Sequence, residues 1–242
     1  MPPRVYAPDA RADRASVELS ADEAHHLKHV LRLGPGDDVA VFDGAGHEWA
    51  ARLATSGRSL SAELVRPVTP VPEPRVRVVL GIGLLKGEQM DAVVRDATML
   101  GASEIVPLST AHVAVPSGGR RAEKALARWA RVAIASAKQC RRAVVPTVAP
   151  LASFEAALAA IQRDQTIIAT EPAVGDFVKA DAPSRPATAL VLVGPEGGWS
   201  RDEVDRAVRS GARRLELGPR TLRAEAAPIV VLSALWVEWG WT

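Results

Sequence analysis

Cysteine is nearly missing from this chain of 242 residues: Cys140 stands alone. An internal disulfide and any zinc site built from several cysteines are thereby excluded. Aromatic residues make up only 4%, and formal net charge is just +2, so bulk charge alone does not announce a nucleic-acid partner. No run approaches the roughly 20 apolar residues a membrane helix requires. Met1-Pro2-Pro3-Arg4-Val5-Tyr6 has no apolar core of the signal-peptide kind, so a soluble cytoplasmic protein is expected. Two nucleotide fingerprints are also missing, G-x-G-x-x-G and the P-loop pattern.

What the chain does have is 48% hydrophobic residues, enough to bury a full core. Its length suits a small domain followed by a medium one. Prolines at 67, 70, 72 and 74 mark an extended connector within Arg66–Pro74. Before it, short alternating runs (Ser16–Ser20, Asp38–Phe42, Trp49–Ala54) and turns at Gly34–Asp37 and Asp43–Gly46 predict a small barrel-like β domain over residues 1–68. One helix, Ala21 to Leu31, interrupts those strands.

Beyond the connector, over 75–242, strands and helices alternate. Strands are expected at Val76–Leu80, Ile105–Val106, Val144–Val145, Thr166–Ala169, Ala189–Val193 and Leu215–Leu217. Helices are expected around Met90–Ala97, Ala122–Cys140, Phe154–Ile161, Arg201–Ser210 and Ala226–Trp239. Ser200 with Glu203 forms a capping box before the apolar face of Val204, Ala207 and Val208, and Gly211 stops that helix. Such alternation predicts an α/β fold with a mostly parallel sheet covered on both faces.

Two of these strands end alike. Ala189–Val193 runs into Gly194-Pro195-Glu196-Gly197-Gly198-Trp199-Ser200, and Leu215-Glu216-Leu217 into Gly218-Pro219-Arg220-Thr221-Leu222-Arg223-Ala224-Glu225. Ligands of open α/β sheets sit beyond the carboxyl ends of the strands, where glycine lets backbone approach closely. The two Gly-Pro turns are therefore candidate walls of one ligand site. A second feature is the strip Arg120–Arg142, with eight basic residues against the lone acid Glu123. Either a phosphate-backbone contact or a solvated helix face explains it.

These paired motifs resemble the RsmE family of 16S rRNA uracil-N3 methyltransferases in the SPOUT superfamily. The resemblance also takes in Leu85–Asp91, Glu104–Leu108, Arg128-Trp129, Gln139-Cys140, Val145-Pro146, Arg4–Tyr6, His25–Leu27, Val30–Arg32 and Phe42–Gly44. It implies a PUA-like RNA-binding barrel, a C-terminal α/β domain with a deep trefoil knot, S-adenosyl-L-methionine as methyl donor, and a homodimer acting on 16S rRNA of the small ribosomal subunit. Gly194, Pro195, Glu196, Gly197, Gly198, Leu217, Gly218, Pro219 and Leu222 would then hold the cofactor. Glu196 is expected to pin its loop by accepting backbone donors. Arg223 and Arg220 would stabilise the uridinate, with Glu225 orienting them or accepting the proton. Arg4, His26, Arg32, Lys86, Arg128 and Arg142 would face RNA. No metal is expected, since His25 and His29 have helical spacing but no third ligand. Ala224 and Ala226 stand where the family usually has threonines. A related knotted enzyme acting on tRNA or another base position, and a non-catalytic RNA-binding scaffold, are the alternative readings.

Overall fold

Two separate sheets carry the chain, which the computed structural model describes at residues 2–57, 59–113, 119–161, 163–171 and 185–241. One compact unit comprises Met1–Glu73 and Ile134–Val145, the other Pro74–Ala133 and Pro146–Thr242.

In the first unit, β1 (Arg4–Tyr6), β2 (Ser16–Glu18), β3 (Asp38–Phe42), β4 (Glu48–Ser56) and β5 (Ser59–Val68) make one sheet in the order β1-β3-β4-β5-β2. β1 joins β3 in parallel and the other pairings are antiparallel. Its edge strands β1 and β2 are not paired to each other, so the sheet is a half-barrel. Alternation turns Val5, Val17, Val39, Val41, Trp49, Leu53 and Leu60 into one buried cluster. β5 absorbs the start of the proline-rich stretch as far as Val68.

The helix expected over Ala21–Leu31 forms as α1 (Ala21–His25), where Ser20 Oγ accepts the Glu23 N–H at 3.2 Å. It then widens into a π-helix, His26–Val30, closed by the bond from Leu31 N–H to His26 O at 3.1 Å. Arg32 follows in left-handed backbone, φ 58°.

The end of the long helix α3 (Arg120–Cys140) belongs to this unit. There Ala137 and Ala143 pack with Phe42, Tyr6 and Val145, and Lys138 Nζ meets Glu23 Oε2 at 2.7 Å. The strand expected at Val144–Val145 is reduced to bridges from Val144 to Gly44 and Ala45. Pro146, with no N–H, cannot extend that pairing.

The second unit holds a seven-stranded sheet. Its members are β6 (Arg77–Gly83), β7 (Glu104–Ser109), β8 (Thr147–Val148), β9 (Ala152–Ser153), β10 (Gln165–Ala169), β11 (Thr188–Val193) and β12 (Arg213–Leu215). Their order is β12-β10-β11-β6-β7-β8, with β9 also on β7, and every pairing is parallel. β6 and β11 are central and buried almost end to end, as their unbroken apolar runs require. The last strand lies two residues earlier than expected, because Ala169, the end of β10, pairs with Leu215.

Helices α2 (Gln89–Met99), α4 (Phe154–Ala160), α5 (Arg201–Arg209) and α6 (Ala227–Trp239) complete the unit. α5 carries the capping box at Ser200 and Glu203. α6 packs on α2, with Trp236 Nε1 donating to Leu100 O at 2.7 Å. Because the strands are parallel, Gly83, Ala169, Val193 and Leu215 all end at one edge of the sheet.

Candidate active site at the strand ends

Pro195 follows β11 and ends its ladder by lacking an N–H. Gly198 then turns the chain in left-handed backbone, φ 65°, with its N–H on Pro195 O at 2.9 Å. Three side chains fasten this loop. Glu196 Oε1 accepts the Lys86 N–H at 3.2 Å. His112 Nδ1 meets Gly197 O at 2.8 Å, and since a carbonyl only accepts, this nitrogen carries the proton. Trp199 Nε1 donates to Ala169 O at 2.9 Å, and its ring leans on Phe154 with centroids 5.3 Å apart. Behind them Glu203, buried, accepts from Ser200 N and Oγ and from Ala111 N at 2.8–2.9 Å.

The second loop leaves β12 through Glu216–Pro219 and returns at α6, whose first turn contains Pro228. Arg223 O accepts the N–H groups of Ala226 and Ala227, both at 3.0 Å, and fixes the turn into that helix. Between the loops lies a cavity of about 260 Å³. Gly194, Pro195, Gly197 and Gly198 line one wall, and Leu217, Arg220, Leu222 and Ala224 another. A third wall, Ala169-Thr170-Glu171, follows β10. Sequence reasoning missed it, although it too follows a strand end. His112 carries no sequence signal at all.

Of the expected cofactor residues, Glu196, Gly218 and Pro219 do not line the cavity, and they belong to its loops instead. The Arg223 side chain is 87% exposed, with Nη1 3.9 Å from Glu225 Oε1. Glu225 is not among the residues lining the cavity, and its Oε2 accepts from Gln89 Nε2 at 3.3 Å. The expected RNA-facing residues divide. His26, Arg32 and Lys86 are exposed, and Arg128 is half-exposed but ion-paired with Asp91.

Arg4 and Arg142 are turned inward. The Arg4 side chain, 7% exposed, donates to Ala137 O, Arg142 O and Glu48, and lies 4.4 Å from the Phe42 ring centroid. Arg142 is equally buried and its Nε donates to Glu73 Oε1 at 3.0 Å. Both guanidiniums are committed to partners inside the first unit.

Residues 72–236 match the family described as the RNA methyltransferase domain, and residues 19–65 the RNA methyltransferase PUA domain. Ribosomal RNA small subunit methyltransferase E of a Synechocystis strain is 32% identical over 237 residues, spanning 96% of this chain and 76% of that protein. The chain belongs to the ribosomal RNA small subunit methyltransferase E family. The Bacillus subtilis member is 30% identical over 226 residues, 90% of this chain and 88% of its own length. The solved Neisseria gonorrhoeae member, bound to S-adenosyl methionine, has a TM-score of 0.87 and 29% identity, covering 99% of this chain and 98% of that one.

Proposed function

We propose that this methyltransferase E family member transfers a methyl group from S-adenosyl-L-methionine to N3 of a specific uridine in 16S rRNA of the small ribosomal subunit. The cavity between the two Gly-Pro loops carries the reading. It is walled by backbone-exposing glycines, held by three side-chain ties, and close in size to the roughly 300 Å³ at which small-molecule sites begin. Family membership, and the cofactor bound by the Neisseria relative, support the same assignment.

Bound S-adenosyl-L-methionine supplies a methyl group already activated on a sulfonium. The chain's own task is to make N3 nucleophilic, since that nitrogen is protonated at neutral pH. Glu225 takes the N3 proton, and Gln89 Nε2 donates to its carboxylate. Arg223 and Arg220 stabilise the charge that gathers on the neighbouring carbonyl oxygens. N3 lies on the pairing edge, so the uridine must be unpaired or flipped out. His26, Arg32, Lys86 and Arg128 hold the RNA backbone.

In the same reading, residues 1–68 are the PUA-like RNA-binding domain and 75–242 the methyltransferase domain, whose two Gly-Pro loops belong to a deep trefoil knot. The enzyme is a cytoplasmic homodimer. Its contact surface includes α6, where Ile229, Val230 and Val237 are exposed, Val237 at 87%. Glutamate at Val237 should turn a dimer seen by light scattering into monomer.

Mapping methylated nucleotides in small-subunit rRNA from cells with and without the protein tests the reaction. One 3-methyluridine that depends on the protein supports it. Methylation found only on tRNA or at another base atom overturns it.

A further inference from the structure

Arg120, Arg121, Lys124, Arg128 and Arg131 succeed one another along the first half of α3 at steps of one, three, four and three residues. At about 100° per residue, all five fall within an arc of roughly 100° on one side of the helix. Glu123, the lone acid of that half, falls outside the arc. All five cations are exposed. Arg128 pairs with Asp91, and the other four have no carboxylate partner among the described residues. From Arg120 to Arg131 the stripe runs about 16 Å, at a rise of about 1.5 Å per residue.

This arrangement works against the helix. Lys124 lies four residues from both Arg120 and Arg128, the spacing at which like charges repel. Arg120 and Arg121 occupy the first turn, where the helix dipole disfavours cations. A solvated face would interleave acids with these cations, and only Glu123 is present. An anion laid along the stripe relieves both penalties. With a net charge of only +2 on the whole chain, the surplus is local to this surface. What the stripe lacks narrows the anion further. Trp129, the one aromatic residue of α3, lies half-buried on another side, so the stripe has no platform on which unpaired bases could stack. Leu126 is half-buried too, and the exposed apolar positions are Ala122, Ala127 and Ala130, too small to anchor a helix in a lipid surface. A regular row of phosphates is the anion that remains.

We propose that Arg120, Arg121, Lys124 and Arg131, with Arg128 between them, dock the phosphate backbone of a double-helical segment of the RNA substrate. Contacts of this kind position a protein on RNA without reading its sequence. The proposal rests on the small-subunit rRNA reading and adds the surface by which the methyltransferase domain itself holds that RNA.

The test compares wild type with a variant combining Arg120→Gln, Arg121→Gln, Lys124→Gln and Arg131→Gln, since glutamine keeps a high helix propensity. Affinity for a labelled RNA duplex of about 20 base pairs is measured from about 50 to 200 mM salt. Each lost phosphate contact should flatten the log–log salt dependence by about 0.9, so the variant's slope should be shallower by about 2 to 4. With small ribosomal subunits from cells lacking the protein as substrate, KM for the subunit should rise several-fold while kcat holds. Melting temperature should not fall, since the substitutions remove only repulsion. An unchanged slope, a slower kcat with normal KM, or a melting temperature several degrees lower would each overturn the docking stripe. Tighter wild-type binding to phosphatidylserine vesicles than to the duplex would overturn it in favour of a membrane-facing helix. Wild type that methylates the subunit while the variant matches it in slope and KM removes the stripe alone. Wild type that neither methylates the subunit nor binds the duplex removes the rRNA reading with it.

Discussion

Gly83 lies against Pro195 so closely that a Cβ on the glycine would stand 2.5 Å from the proline nitrogen and 2.4 Å from its Cδ. Backbone and a rigid ring cannot yield as a flexible side chain would. The end of β6 thus sets where the first Gly-Pro loop begins. Gly83→Ala should cost about 1–3 kcal/mol of stability, the usual range for overpacking. It should also weaken S-adenosylhomocysteine binding, because the strain enters at the loop itself. Urea unfolding and calorimetry on one preparation measure both, and an unstrained, fully binding variant refutes the contact's importance.

His112 should hold the same loop from the other side. His112→Ala removes the donor to Gly197 O, so cofactor affinity should fall about 3- to 10-fold. His112→Asn, which restores a short N–H donor, should recover part of it. Amide hydrogen exchange across Gly194–Ser200 should quicken in the alanine variant and slow again in the asparagine variant.

Removal of the Arg223 guanidinium should slow methyl transfer by about 100-fold or more, the scale of one lost electrostatic donor. Its side chain is 87% exposed, so melting temperature should not move. Glu225→Gln keeps the contact with Gln89 but cannot take a proton, and should slow transfer with cofactor affinity intact. Single-turnover rates with saturating cofactor separate these effects from binding.

Arg4 should behave as a structural residue. Arg4→Ala leaves the Glu48 carboxylate buried without its cation and strips donors from two carbonyls of the first unit, a loss on the order of 3–5 kcal/mol. Arg4→Lys should also destabilise, since one ammonium cannot reproduce the forked contacts. A variant of normal stability whose only defect is weaker RNA binding would falsify this assignment.

Acid should reveal Asp43. Burial raises its pKa, but hydrogen bonds from the His47 side chain and from the N–H groups of Ala45 and His47 outweigh that effect and leave it below the ordinary 3.8. A folded-state pKa below the unfolded one stabilises the protein fully above the unfolded value, and this is lost as pH falls through the folded value. The stability gap between wild type and Asp43→Asn should therefore shrink as pH falls below about pH 4. Denaturant titrations across that range measure it.

Much of the site could be read from the chain because its signals are local. Gly-Pro after an apolar strand, and Ser200 three residues before Glu203, need no distant partner to be recognised. Burial of Arg4 and Arg142 was not legible, for their acids, Glu48 and Glu73, lie 44 and 69 residues away. The third wall escaped because a threonine and a glutamate after a strand have no distinctive pattern. The widening of α1 into a π-helix likewise leaves no mark in the apolar spacing.

The first unit draws on a stretch, Ile134–Val145, that is synthesised some sixty residues after its last strand, β5. Phe42 and Tyr6 cannot complete their cluster, nor Arg4 its carbonyl contacts, until Ala137, Arg142 and Ala143 have been made. A nascent chain paused in the connector therefore carries an unfinished core, vulnerable to proteases. Fragments cut at the prolines should be poorly soluble, whereas supplying residues 134–145 as a separate peptide should restore a cooperative unfolding transition.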